Sequence, residues 1–149
     1  MSGTGSYIGV MTMFKRVFSS VLVGSLLIVG NAFAEETPLE EKMDEVSGCL
    51  KSLRRAGDDY AKALVFVREA QVALIECFAL SPAMIEKMPE GKEKAIAMAN
   101  YKKTLAASYQ TLCDLELAYL SEDEDKIDDA KDAVKKSRKD GHREFIEED

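Results

Sequence analysis

Residues 35–149 predict an all-α fold, arranged as an antiparallel up-down-up-down four-helix bundle. Apolar residues recur every three or four positions along this segment, as on one face of a helix, and show no strand-like alternation. Breakers at Gly57, at the proline- and glycine-containing stretch 81–91 and at Ser121 divide the segment into four helices. The first and third connections are short, which places consecutive helices side by side and antiparallel.

The first two helices begin at residues that are typical helix caps. Thr37 precedes Pro38 and is the expected N-cap of the first helix, which ends at Gly57. Asp58 or Asp59 caps the second helix, which is apolar on several sides and is therefore expected to be the most buried. The apolar stripe of the first helix consists of Leu39, Met43, Val46, Leu50 and Leu53.

The last two helices follow the longest connection. The third is predicted from about Lys92 to Tyr119, and Ser121 with Glu124 has the S-x-x-E pattern of a capping box that opens the fourth. The inward positions predicted for the fourth helix are Ile127, Ala130, Val134, Arg138, Gly141 or His142, and Phe145. Met43 and His142 are thus both expected to face the core.

Residues 1–34 are interpreted as a secretory signal peptide. A basic segment at 13–16 (MFKR) precedes an uncharged apolar run at 17–30, and residues 32–34 (AFA) form an A-x-A cleavage site. Residues 1–12 add nothing to this signal and are compatible with a start codon assigned too far upstream. We expect cleavage after Ala34, export to the periplasm and no membrane attachment of residues 35–149. The alternative, an uncleaved anchor, is disfavoured because a membrane span needs about 20 residues.

Charge and composition argue against several functional classes. The chain has 20 basic and 27 acidic residues, and loss of Lys15 and Arg16 with the leader leaves 18 against 27, a net charge of −9. Such a chain is expected to repel nucleic acid and to favour a partner protein with a basic docking face. With one histidine, no paired base and nucleophile and no metal cluster, we expect no enzymatic activity.

The three cysteines do not form a redox or covalent haem-attachment motif. Cys49, Cys77 and Cys113 are an odd number in an exported chain, so at least one is unpaired or bonds to another chain. None lies in a C-x-x-C pattern, which argues against covalent haem attachment and zinc. All three lie in apolar helical stretches and are interpreted as small buried hydrophobic residues.

Met43 and His142 are the candidate ligand pair. A thioether and an imidazole offered by two helices can hold haem iron from both sides. With about 1.5 Å of rise per residue, they lie roughly 21 and 31 Å from the closed end of the bundle, an offset that fits a ring between the helices. The alternatives are a structural histidine with a satisfied ring and a methionine that fills a gap in the core.

Two segments resemble the soluble cytochrome b562 family. Residues 39–44 (LEEKMD) with Leu50 and Lys51 are similar to its opening helix, and residues 136–138 (KSR) followed by His142 are similar to its closing helix. The resemblance covers residues 35–149 in architecture, while the middle helices match in pattern only. This family is itself a standard example of the up-and-down bundle, so the fold match is not independent.

The resemblance implies a monomeric periplasmic electron carrier that binds one non-covalent haem b per chain. Met43 would be the sixth iron ligand, His142 the fifth, and Arg138 would lie near the porphyrin edge. Tyr101 and Leu105 are candidates for the apolar wall of the site. Two occupied axial positions would leave no place for a substrate at the iron, which favours electron transfer.

Alternatives remain open for individual residues and for the whole chain. Arg138 could instead form a surface ion pair with Asp132 or Asp140. Gly141, directly before His142, is one departure from the family, because a glycine inside a helix costs about 1 kcal/mol relative to alanine. The three cysteines are a second departure from the family. The alternative function is a haem-free exported helical-bundle protein with an interaction or stress role.

Overall fold

The computed structural model describes residues 36–145, and this part of the chain is all-α. Helix α1 spans Pro38–Ala56 and helix α2 spans Tyr60–Glu76. A 3-10 turn, Cys77–Ala79, and a one-turn helix α3, Ala83–Glu86, lie in the connection that follows. Two further long helices complete the fold, α4 over Lys92–Ser121 and α5 over Glu124–Phe145.

The signal peptide predicted at residues 1–34 lies outside the described residues, so its cleavage stays a prediction. The described residues all belong to one compact unit, Ala34–Asp149. No helix between residues 36 and 145 is long and apolar enough to cross a membrane.

The predicted starts of the first two helices are confirmed. Thr37 Oγ1 accepts a hydrogen bond from the Glu40 N–H at 3.2 Å, and Glu40 Oε2 accepts one from the Thr37 N–H at 2.6 Å. Gly57 ends α1 at φ +58°, a backbone conformation that glycine adopts without steric cost. Asp59 Oδ1 then accepts from the Lys62 N–H at 3.0 Å and caps α2.

The turn between α4 and α5 differs from the prediction. Ser121 belongs to α4, where its hydroxyl donates to the Ala118 carbonyl at 2.8 Å. Glu122 reverses the chain in the left-handed region at φ 52°. Asp123 Oδ1 accepts from the Lys126 N–H at 3.2 Å and is the cap of α5. The predicted capping box that starts at Ser121 is therefore wrong, because its hydroxyl already has a partner inside α4.

The core lies along α2 and α4 and is completed by one face each of α1 and α5. The prediction that α2 is the most buried of the long helices is confirmed, since six of its 17 residues are buried, among them Val67 and Ala70. Its opposite face is open to solvent, where Val65, Val72 and Ile75 are each at least 50 % exposed. The reason is that α1 and α4 cover only two sides of α2.

The buried stripe of α5 follows the prediction in its first half only. Ile127, Ala130 and Val134 are buried as predicted. Beyond them the stripe continues to Phe145, whose ring packs edge-on against Tyr101 with centroids 5.4 Å apart.

Arg138 and His142 are exposed, so the prediction that they face the core is wrong. At about 100° per residue, the eight residues from Val134 turn His142 by roughly 80° out of the stripe, whereas Phe145 returns to within about 20° of it.

Candidate functional site

A groove separates α1 from α5. Each of these helices packs on a neighbour, α1 on α2 and α5 on α4, but they scarcely contact each other. The groove has a volume of about 1110 Å³, just above the range of about 300–1,000 Å³ that is usual for small-molecule sites. Its apolar lining comes from three helices: Leu50, Leu53, Leu115 and Val134. Arg138 and His142 line it from α5.

The charged lining of the groove is almost entirely cationic. The cations are Arg54 of α1 and, from α5, Lys131, Lys135, Lys136, Arg138, Lys139 and Arg143. Asp132 is the one carboxylate that lines the groove among the described residues. The groove therefore has a local charge opposite in sign to the net charge of the chain.

Several of these cations have no carboxylate partner. Asp140 accepts hydrogen bonds from Lys136 at 2.8 Å and from Arg143 at 3.0 Å, which lower the pKa of its carboxyl group. No ion pair between residues 36 and 145 involves Arg138, so the alternative that it pairs with Asp132 or Asp140 is wrong there. Within the same range, the other groove cations without an ion pair are Arg54, Lys135 and Lys139.

His142 is exposed on the side of α5 that borders the groove. Partial desolvation of its ring, and then the positive charge of Arg138, lower the pKa of the imidazole below its usual 6.5. The lowered pKa favours the neutral ring, which is the form that binds a metal. No hydrogen bond to this ring is found within the described part of the chain.

Met43 lies beside the groove rather than in its lining. It is half-buried and packs against the core. Leu50, two turns further along the same face of α1, does line the groove. Arg138 and His142 thus both line the groove between α5 and α1. Met43 does not line it, and lies roughly 10 Å along α1 from Leu50, which does.

Tyr101 and Leu105 do not form a wall of this groove, so that prediction is wrong. Both are in the core, where they are 2 % and 4 % exposed, and the Tyr101 hydroxyl donates to the Cys77 carbonyl at 3.1 Å. Sequence reasoning also missed the cationic lining. Its signal was the density of lysine and arginine between residues 131 and 143, which by itself does not show which of them lack a partner.

The cysteines are free thiols away from the groove. Cys77 is buried as predicted, and burial raises the pKa of its thiol to about 11, so it is a poor nucleophile. Cys49 and Cys113 are half-buried, and burial also raises the pKa of Cys49. No cysteine of the described residues lines the α1–α5 groove, so none is placed beside His142.

Between residues 36 and 145, no group of three or more His, Cys, Asp or Glu side chains is placed to hold a metal ion. A haem iron needs fewer ligands from the protein, because the porphyrin supplies four of them. The groove offers an apolar surface beside cations, which suits an apolar ring with two carboxylates, and its lining includes His142 but not Met43. Comparisons with family models, with curated proteins and with solved structures found no match.

Proposed function

We propose that this protein is a periplasmic electron carrier that holds one non-covalent haem b between α1 and α5 through Met43 and His142. The observation that carries the proposal is the α1–α5 groove, which combines an apolar lining, unpaired cations and the single histidine. Haem b is an apolar macrocycle with two carboxylates, so this combination suits both of its parts. Location in the periplasm rests on the signal peptide predicted at residues 1–34.

The proposal includes an up-down-up-down antiparallel arrangement of the four long helices. Lys42, near the start of α1, pairs with Glu76 at the end of α2 at 2.8 Å. Tyr60, the first residue of α2, packs edge-on against Tyr119 near the end of α4, with centroids 5.6 Å apart. Phe145, the last residue of α5, packs on the first half of α4. These contacts support an antiparallel order for each consecutive pair.

In this arrangement the two proposed ligands lie toward the same end. Met43 lies 13 residues before the end of α1 and His142 lies 18 residues after the start of α5. These separations correspond to roughly 20 and 27 Å along the two helices. A difference of about 7 Å suits a group held between α1 and α5 better than direct contact of the two side chains.

The role of each residue follows from its chemistry. The imidazole of His142 and the thioether of Met43 would hold the iron, and Arg138 would neutralise one carboxylate of the macrocycle. When bound, the haem supplies a one-electron iron centre, for which a thioether ligand favours the reduced state. With both of these ligands supplied by the protein, electron transfer would be favoured over reactions of a substrate at the iron.

A visible spectrum of residues 35–149 with added haemin tests the proposal. We expect a sharp Soret band and, after reduction, narrow α and β bands, which indicate a low-spin six-coordinate iron. Met43→Leu keeps the side-chain volume but removes the sulfur, and should lose the low-spin spectrum. Met98→Leu is the matched control, because Met98 is also half-buried against the core. That variant should keep the spectrum of the unmodified chain.

His142→Ala gives the sharper test of the ligand assignment. It should abolish the six-coordinate spectrum, and because the side chain is exposed it should leave the fold intact by circular dichroism. A haem spectrum that survives His142→Ala unchanged would contradict the proposal. So would a free-haemin spectrum with the unmodified chain.

The second candidate is a haem-free exported helical-bundle protein that binds another macromolecule. The observation that favours it is a set of large apolar side chains exposed on α2 and α4, a feature that can mark an interaction surface. These residues are Val65, Val72, Ile75, Ile96, Leu117 and Leu120. This candidate predicts a chain that is fully folded without haem and binds none at micromolar haemin, so the same titration separates the two.

A further inference from the structure

Besides Arg138, three exposed cations line the α1–α5 groove without a carboxylate partner. Arg54 lies on α1, and Lys135 and Lys139 lie one turn apart on α5. We call these three residues the basic rim. Within residues 36–145 none of them forms an ion pair, so their charge is not neutralised by the described part of the molecule. Their exposure means that a protein approaching the groove meets them first.

We propose that the basic rim docks a redox partner protein through an acidic patch on that partner. The redox nature of the partner rests on the function proposed above, because the rim borders the same groove as His142. A partner that docks at the rim would lie beside the groove proposed to hold the haem, which would shorten the distance for electron transfer. Arg138 is not assigned to the rim, since it is proposed to neutralise the haem.

The net negative charge of the chain predicts a partner with a basic face, which is the opposite of the acidic partner proposed here. The arrangement of the charges along the chain explains the difference. Residues 122–129, in the turn before α5 and its first part, contain six acidic side chains and one basic side chain, whereas residues 131–143 contain six basic and two acidic ones. The centres of these two segments lie roughly 18 Å apart along the helix. At 0.1 M salt the Debye length is about 10 Å, so a partner at the groove interacts mainly with the cations.

This charge distribution predicts a characteristic dependence on salt. At low ionic strength an acidic partner is repelled by the net charge of the whole chain, because screening is weak over about 30 Å at 0.01 M. Moderate salt screens the distant carboxylates while the rim still attracts the partner. High salt then screens the rim as well. The affinity for an acidic partner should therefore pass through a maximum as salt is added.

The test is an NMR titration of ¹⁵N-labelled residues 35–149, with and without haem, using an acidic [2Fe–2S] ferredoxin as the probe. We expect chemical-shift changes in residues 131–143 and around Arg54. Lys135→Glu with Lys139→Glu should weaken binding at least tenfold. Lys102→Glu with Lys103→Glu makes the same charge change at exposed positions of α4 outside the groove, and should change the affinity less than twofold.

Five results would overturn the proposal. Four of them are that the ferredoxin fails to bind, that its footprint lies outside the rim, that both double variants weaken its binding equally, or that anionic lipid vesicles bind through the rim while the ferredoxin does not. A basic cytochrome c that docks at the rim in place of the ferredoxin would also contradict it. Failure of the proposed function is seen separately, as the absence of a haem spectrum. If a chain that takes up no haem still binds the ferredoxin at the rim, the result supports the docking surface and contradicts its redox role.

Discussion

At the scale of single residues, two buried tyrosines differ in whether the phenol has a partner. The Tyr101 hydroxyl donates to the Cys77 carbonyl, whereas the buried Tyr119 hydroxyl has no hydrogen-bond partner within the described residues. Tyr101→Phe should therefore lower the free energy of unfolding by about 1 kcal/mol, and Tyr119→Phe should be neutral or slightly stabilising. Urea denaturation measures both. Equal losses at the two positions would show that the Tyr119 hydroxyl does have a partner.

Gly141 is a second residue at which a small substitution is informative. A Cβ added there would lie 3.5 Å from Thr104 Cγ2, which is ordinary van der Waals contact. Gly141→Ala should therefore raise the free energy of unfolding by about 0.5–1 kcal/mol, because alanine restricts the unfolded chain and favours the helix. Gly48→Ala is the matched control in α1, since nothing lies within 4 Å of its added Cβ. A gain at Gly48 with a loss at Gly141 would show that α4 and α5 cannot accommodate the methyl group.

Glu116 should make stability depend on pH. Hydrogen bonds from Arg68 Nε at 2.7 Å and Gln71 Nε2 at 2.8 Å lower the pKa of its carboxyl group below 4.5. Because the folded pKa is lowered, the contribution of Glu116 is fully present above pH 4.5 and is lost as the pH falls through the folded pKa. Glu116→Gln should reduce the loss of stability in acid, measured by urea denaturation at several pH values. Glu93→Gln, an exposed position of the same helix, should leave the slope unchanged.

At the scale of the helices, the residue that caps α5 in the structure is not the one that the sequence motif indicates. Asp123 caps the backbone of Lys126, whereas the Ser121 hydroxyl bonds within α4. Asp123→Ala should cost about 1 kcal/mol of unfolding free energy. Ser121→Ala, at an exposed position outside the cap, should cost less than about 0.5 kcal/mol. The reverse order in thermal or urea unfolding would restore the S-x-x-E capping box.

At the scale of the whole molecule, the gap between α1 and α5 should show in local stability. Helix α1 packs mainly on α2, and α5 on α4, so each of the two outer helices lacks support on the groove side. Amide hydrogen exchange should therefore be faster in α1 and α5 than at the buried core of α2 and α4. Added haemin should slow exchange in α1 and α5 selectively. Uniform protection that haemin leaves unchanged would mean that the gap is closed in solution.

The sequence by itself determined the local features. The caps at Thr37 and Asp59 and the end of α1 at Gly57 depend on neighbouring residues, because a cap bonds to a backbone group three residues away. The buried side chains at the start of α5, Ile127 to Val134, could likewise be predicted from their spacing. Helical periodicity also predicted the all-α class, which is confirmed because no segment between residues 36 and 145 forms a strand.

Only the tertiary structure decided how the helix faces are used. The sequence placed Arg138 and His142 on the inner face of α5, but the helical period and the packing on α4 rotate both out to the groove. It placed Tyr101 beside the ligand, but this side chain is held in the core by Cys77 and Phe145. The groove and its positive charge arise because α1 and α5 stay apart. Their separation depends on contacts between residues far apart in the chain, which no local pattern specifies.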